Sequence, residues 1–192
     1  MNRWIIIIMS ALLLGGGAYV YSSRSANAEP LEVGAAAPHF ETTAALAGKP
    51  FNVSLSEKLK KGPVVLYFFP KAFTEGCTIE ANMFAEATAD FEAAGATVIG
   101  MSGDDLETLT KFSVEECRDK FAVARADDAV MDGYQVRMKP TLALTNRTSY
   151  VIDQNSKIVM VHSAQDPKGH VQKTLEKVQQ LARAKMAAPP EN

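Results

Sequence analysis

Six consecutive apolar residues, Val64-Val65-Leu66-Tyr67-Phe68-Phe69, followed at once by Pro70, constrain this chain more than any other stretch. A strand with one wet face alternates apolar and polar side chains. An unbroken β-rich run instead needs cover on both faces, as in a parallel or mixed sheet with helices on either side. Pro70 has no amide hydrogen to give the ladder and ends the strand. Beyond it Ile79, Met83, Ala87 and Phe91 recur every four residues until Gly95, a spacing that predicts a helix with that apolar face and a glycine stop. Cys77 therefore falls in the first helical turn. Free backbone amides and the positive end of the helix dipole gather there, a setting that favours thiolate and makes the sulfur a nucleophile. Thr74 lies three residues earlier, where its hydroxyl either caps the helix or turns into the same pocket to bond a bound oxygen atom. Gly76 lets a ligand approach the backbone. Glu75 and Glu80 oppose a thiolate, so the fold has to bring a cation from elsewhere.

The flanking stretches extend the pattern. Phe51 to Leu55 alternates as a short strand, and Glu57 to Lys61 is polar and ends at Gly62-Pro63. Ala96 to Ser102 reads as the next buried strand. Asp104-x-x-Glu107 is a capping box that opens a second helix, with Leu106, Leu109 and Phe112 on its apolar face. Cys117 falls about three turns past Leu106, on nearly the same side and near the helix end. Strand, helix, strand, helix implies a crossover unit in a largely parallel core. Phe121 to Ala124 is a further short strand, and Asp127-Asp128 opens a turn and a brief helix. Arg147 to Asp153 and Lys157 to Val161 form a hairpin across Gln154-Asn155-Ser156. Val171, Leu175, Val178 and Leu181 space a closing amphipathic helix between Gly169 and Lys185. The expected class is α/β, a central mixed β-sheet flanked by helices.

Composition narrows the function. With 192 residues, 47% hydrophobic and 22% charged, the chain suits one domain with a substantial core. A net charge of -2, with no basic stripe, excludes an electrostatic footprint for nucleic acid. There are two cysteines and no CxxC, which argues against a thioredoxin-type disulfide reductase. His39, His162 and His170 are scattered without metal spacing and read as structural or solvated, so no metal and no cofactor is expected.

The N-terminus has the three parts of an export signal: a positive start at Arg3, an apolar run from Trp4 to Tyr21, and the cleavage-like Ala26-Asn27-Ala28. The expected division is a signal segment over 1–28, a domain over 29–185 and a flexible tail over 186–192. An uncleaved membrane anchor is the rival reading of the first segment. Either places the domain in a periplasmic or other extracytoplasmic, oxidising compartment.

The spacing Pro-x-x-x-Thr-x-x-Cys at a strand-to-helix junction, Pro70 to Cys77, resembles the peroxidatic-cysteine motif of the peroxiredoxins. Leu66 to Lys71 resembles the bacterioferritin-comigratory-protein branch, and the likeness extends from about Ala37 to Leu181. It implies a thioredoxin-like fold and a thiol-dependent peroxidase acting on hydrogen peroxide or organic hydroperoxides. In it Cys77 would be the attacking thiolate, Thr74 a bond to the oxygen under attack and Pro70 a shield. The strand Arg147-x-Ser149-Tyr150-Val151-Ile152-Asp153 resembles one that delivers an arginine to the cysteine pocket, so Arg147 is the candidate cation. The branch often carries a resolving cysteine five residues after the first, where this chain has Asn82. Cys117, forty residues on, becomes the internal candidate, its alternative being an idle thiol in a one-cysteine enzyme. The resemblance further implies an external dithiol reductant of the thioredoxin or glutaredoxin kind and a monomer or weak dimer. A thioredoxin-fold binding or chaperone-like protein without turnover, and a thiol-disulfide oxidoreductase, are the competing functions.

Overall fold

A computed structural model describes residues 29–187. Seven strands form one sheet: β1 (Glu41–Leu46), β2 (Lys49–Ser54), β3 (Val64–Phe68), β4 (Thr97–Ser102), β5 (Ala122–Arg125), β6 (Thr148–Ile152) and β7 (Ile158–Ser163). Their spatial order is β2-β1-β5-β4-β3-β6-β7. β3 pairs in parallel with β4 and antiparallel with β6, so the sheet is mixed and the apolar run sits inside it. Five helices complete the chain: α1 (Leu55–Leu59), α2 (Glu75–Ala93), α3 (Leu106–Glu115), α4 (Asp128–Gly133) and α5 (Lys168–Ala187).

The alternation of β3 explains why none of its residues is polar. Val64, Leu66 and Phe68 enter one core with Leu55, Leu59, Val130, Met131, Tyr134 and Tyr150. Val65, Tyr67 and Phe69 enter the other with Cys77, Phe84, Leu109, Phe112, Cys117 and Val178. Successive side chains of a strand point to opposite faces, and here both faces are dry. The Tyr67 ring stacks on Phe84 at 4.3 Å, but its buried hydroxyl has no hydrogen-bond partner. Tyr67→Phe removes a desolvated, unpaired group, so it is expected to raise folding stability by about 1–2 kcal/mol in urea denaturation.

Several local expectations shift. On α2 the buried residues are Cys77, Glu80, Ala81, Phe84, Ala85, Thr88 and Phe91, whereas Ile79 is 41% exposed. A strict four-residue repeat gains about 40° per step on a 3.6-residue helix and winds off the buried side. The N-cap of α3 is Asp105, whose carboxylate accepts from Thr108 N at 2.8 Å. Asp104, one residue earlier, instead accepts from Ala72 N at 2.7 Å and Ser102 Oγ at 2.5 Å, so it anchors the loop after β3. The polar stretch before Gly62 is largely helix α1, because Leu55 and Leu59 pack into the first core. β1, inside a segment rich in Ala and Thr, forms through pairing with both β2 and β5. Cys117 lies two residues past α3, not on it. α5 continues through Ala187, two residues into the segment expected to be a tail. The signal-like segment and the remaining five C-terminal residues lie outside the described residues. Among those described, no helix is long and apolar enough to cross a membrane.

Candidate active site

The site forms where β3 hands over to α2. Phe69 extends the ladder by one bond, its amide donating to Met101 O at 3.0 Å and its carbonyl accepting from Thr145 Oγ1 at 2.8 Å. Half-buried Pro70 then turns the chain into a short loop, which Asp104 holds at Ala72. In this loop Phe73 has a φ of 60°, the left-handed region that a bulky side chain rarely occupies. Thr74 is the N-cap residue of α2, but its hydroxyl does not cap the helix. It donates to Lys71 O at 3.0 Å, which leaves its lone pairs free to accept. Cys77 is the third residue of α2 and is 1% exposed.

Arg147 arrives from across the sheet. The antiparallel register of β3 and β6 sets Thr148 opposite Phe68, so the residue before β6 stands at the end of β3 where α2 begins. Its carbonyl is held by Ala164 N at 3.3 Å. The guanidinium is 6% exposed; one nitrogen, Nη2, donates to Cys77 Sγ at 3.5 Å, and the other, Nη1, donates to Glu80 Oε2. Gly76 makes room for this approach, since a β-carbon there would stand 3.0 Å from Arg147 Nη2. The cation sought from the sequence is therefore beside the sulfur, and the residue that Gly76 admits is Arg147.

Sequence reasoning placed Glu80 only as a charge unfavourable to thiolate. In the fold it is 0% exposed, one turn beyond Cys77 on the same buried side, and it pairs with Arg147. The available signal was its position: with Cys77, Ala81 and Phe84 it completes an i, i+3, i+4, i+7 stripe, where an acidic residue stands out. Burial pushes its carboxyl up to about 8, with Arg147 pulling the other way. Between the ordinary carboxylate range and about 8 the folded chain keeps a proton that the unfolded chain releases. Glu80 therefore contributes stability that is full at acid pH and is lost as the pH rises through about 8. The thermal midpoint is expected to fall from mildly acidic to alkaline pH, and Glu80→Gln, which carries no such proton, is expected to flatten that slope.

His170, read as structural, is also fully buried and within 3.8 Å of Glu80. His39 is exposed, and His162 lies partly buried with its ring 4.6 Å from that of His170. Cys117 sits in the turn after α3, 0% exposed and in the same core as Cys77; both thiols are free. Burial, then Glu116 and Asp119, push the Cys117 thiol well above its ordinary range. The next two residues, Arg118 and Asp119, have left-handed φ of 51° and 60°. Asn82 donates to Glu116 Oε2 at 3.1 Å and Arg118 to Glu86 Oε1 at 3.3 Å, so α2 is tied to this turn from both sides of Cys117. Among the described residues, no group of three or more His, Cys, Asp or Glu side chains could hold a metal ion.

The AhpC/TSA family profile matches residues 33–161. The chain is 34% identical over 135 residues to the chloroplastic peroxiredoxin Q of Sedum lineare, covering 70% of this chain and 71% of that one. It is 32% identical over 153 residues to the putative peroxiredoxin bcp of Helicobacter pylori, covering 77% of this chain and 98% of that one. With the chloroplastic peroxiredoxin Q of Suaeda salsa the identity is 37% over 131 residues, 68% of this chain, and the match spans only 61% of that protein's length. The crystal structure of peroxidoxin BcpB from Mycobacterium tuberculosis superposes with a TM-score of 0.71 at 28% identity, covering 79% of this chain and 98% of that one. The sheet and its helices are the thioredoxin-like fold of these neighbours. The chain belongs to the AhpC/TSA family and, within it, to the peroxiredoxins.

Proposed function

We propose that this protein is an exported thiol-dependent peroxidase that reduces hydroperoxides through Cys77, with Cys117 as the resolving thiol. The observation that carries the reading is the Arg147 guanidinium donating to Cys77 Sγ at 3.5 Å at the start of α2. The Cys77 thiolate attacks one peroxide oxygen. A sulfur–oxygen bond forms as the oxygen–oxygen bond breaks, the sulfur is oxidised by two electrons, and the departing oxygen takes a proton from water to leave as water or alcohol. Arg147 and the free amides of the first turn stabilise charge developing on the oxygens. Thr74, its hydrogen engaged at Lys71 O, accepts from the peroxide O–H, and Pro70 covers the site.

The Cys117 thiolate then displaces hydroxide from the sulfenic sulfur to give a disulfide, and an external dithiol of the thioredoxin or glutaredoxin kind reduces it. The two Cα atoms have to come within about 7 Å. The strained turn after Cys117 supports movement there, since each left-handed residue costs about 1–2 kcal/mol that unwinding releases. The export reading rests on the signal-like residues 1–28, and the monomer or weak-dimer reading on family likeness.

Mass spectrometry after one equivalent of hydrogen peroxide, with dimedone present as a sulfenic-acid trap, tests the scheme. Wild type is expected to lose two hydrogens, Cys117→Ser to take up the trap at Cys77, and Cys77→Ser to stay unchanged. Uptake of the trap by wild type would make Cys117 idle and leave resolution to an external thiol. No reaction in any variant would refute the peroxidase and favour a binding role.

A further inference from the structure

Behind Cys77 and Arg147 lie two buried polar residues, Glu80 and His170, to which the peroxidase chemistry assigns no role. Arg147 joins Cys77 Sγ to Glu80 Oε2. The other carboxyl oxygen, Glu80 Oε1, is buried with no hydrogen-bond partner and lies 3.8 Å from His170 Nδ1. Glu80 and His170 are both 0% exposed.

The His170 tautomer follows from its neighbours. Nε2 is 2.9 Å from Ala164 O, and a carbonyl only accepts, so Nε2 carries the hydrogen. In the neutral ring Nδ1 is then a lone-pair acceptor, and the Ser149 hydroxyl, 2.8 Å away, can donate to it. If Glu80 were ionised, its orphan oxygen would face another lone pair in a dry interior. A hydrogen on Oε1 removes this opposition and leaves a weak dipole attraction to Nδ1 across 3.8 Å, a separation too long for a hydrogen bond.

Charge counting points the same way. The titratable and charged groups around Glu80 are Cys77 on its own helix, Arg147 before β6, His170 of α5 and Tyr67 of β3. His162 of β7 and Lys173 lie behind His170, the Lys173 ammonium 3.2 Å from His162 Nδ1. Arg147 is the permanent cation in contact with Glu80, and it also contacts the sulfur. A Cys77 thiolate and a Glu80 carboxylate would be two buried anions sharing one cation, the situation in which one acid keeps its proton.

We propose that Glu80 works as a neutral acid with its proton on Oε1 turned toward His170, and that His170 is thereby a positioning residue for Cys77. By keeping Glu80 uncharged it leaves the whole charge of Arg147 to the sulfur and the incoming peroxide, an effect on catalysis that rests on the peroxidase reading. Burial acts in this direction on both groups, lifting Glu80 to about 8 and depressing His170 to about 4. As the pH rises and Glu80 ionises, Arg147 is neutralised from behind and the sulfur loses its help.

Infrared spectroscopy of the reduced protein reads the proton directly. Wild type is expected to show a protonated-carboxyl C=O band at neutral pH that disappears on alkaline titration and is absent from Glu80→Gln. In His170→Phe the same band is expected to titrate at least about one pH unit lower, about tenfold weaker proton binding. His170→Asn, which keeps an amide for the Ala164 carbonyl, is the second variant should the phenylalanine fail to fold. The rate of Cys77 oxidation is expected to decline on the alkaline side along the wild-type band, to lose that decline in Glu80→Gln, and to decline earlier in the His170 variants. Two results would overturn the proposal: no Glu80-dependent acid band at neutral pH, as when the proton sits on His170, or a band that neither His170 variant moves. A band behaving as described in a wild type inert to peroxide would support the charge assignment and refute the peroxidase reading.

Discussion

Arg147→Met is expected to slow the oxidation of Cys77 by about 10²–10³-fold, the usual effect of removing one donor aimed at developing charge in a dry site. The same change strips a buried carboxyl of its donor and is expected to cost about 1–3 kcal/mol of folding stability. The single tryptophan, Trp4, lies in the signal-like segment, so rapid-quench mass spectrometry suits the rate better than fluorescence. Arg147→Lys separates charge from geometry. Lysine keeps the positive charge but has one ammonium on a flexible stem, where the guanidinium reaches Cys77 Sγ and Glu80 Oε2 from two nitrogens of one rigid plane. Lysine is expected to recover only part of the loss. Full recovery would mean that charge alone suffices, and no loss in either variant would remove Arg147 from the chemistry.

Gly62→Ala is expected to destabilise the fold by about 3 kcal/mol or more in urea denaturation, although Gly62 is remote from the sulfur in sequence and carries no side chain. A β-carbon there would lie 2.0 Å from the backbone oxygen of Gly95, a position no side-chain adjustment relieves. The two backbones are brought together where β3 and β4 begin side by side, Thr97 N donating to Pro63 O at 3.0 Å. Gly95 itself makes the contrast. It ends α2 with a φ of 73°, and a β-carbon there meets nothing within 4 Å. Gly95→Ala therefore carries only the left-handed strain of about 1–2 kcal/mol. Equal losses at the two sites would show that the turn relaxes around Gly62 and that the backbone clash is not what sets its cost.

What could be read without coordinates was whatever depends on near neighbours in the chain. The unbroken run Val64 to Phe69, rich in β-formers and closed by proline, pointed to a strand dry on both faces, and two cores divide its residues. Proline at its end and glycine at the end of α2 act through their own backbones, so their effects are local. The cysteine at the helix start followed from the same punctuation, and the family motif pointed to Arg147. Errors arose where two local readings were nearly equal. Asp104 and Asp105 are both cap residues by type, and the loop that Asp104 has to hold, at Ala72, decided between them.

The buried face of α2 and everything beneath Cys77 waited for the tertiary structure. No spacing along the chain places Glu80, Arg147, Ser149 and His170 in one buried cluster. The antiparallel register of β6 on β3 carries Arg147 to the helix start, and the docking of α5 brings His170 to Glu80. Cys117 likewise became a core residue in a strained turn through packing, and Asn82 acquired Glu116 as a partner across two helices. The sequence by itself determined the strand-to-helix setting of Cys77, because this depends on local backbone geometry. Only the tertiary structure decided that Glu80 and His170 lie buried behind Arg147 and Cys77, because burial and charge pairing act through space between residues that the chain keeps far apart.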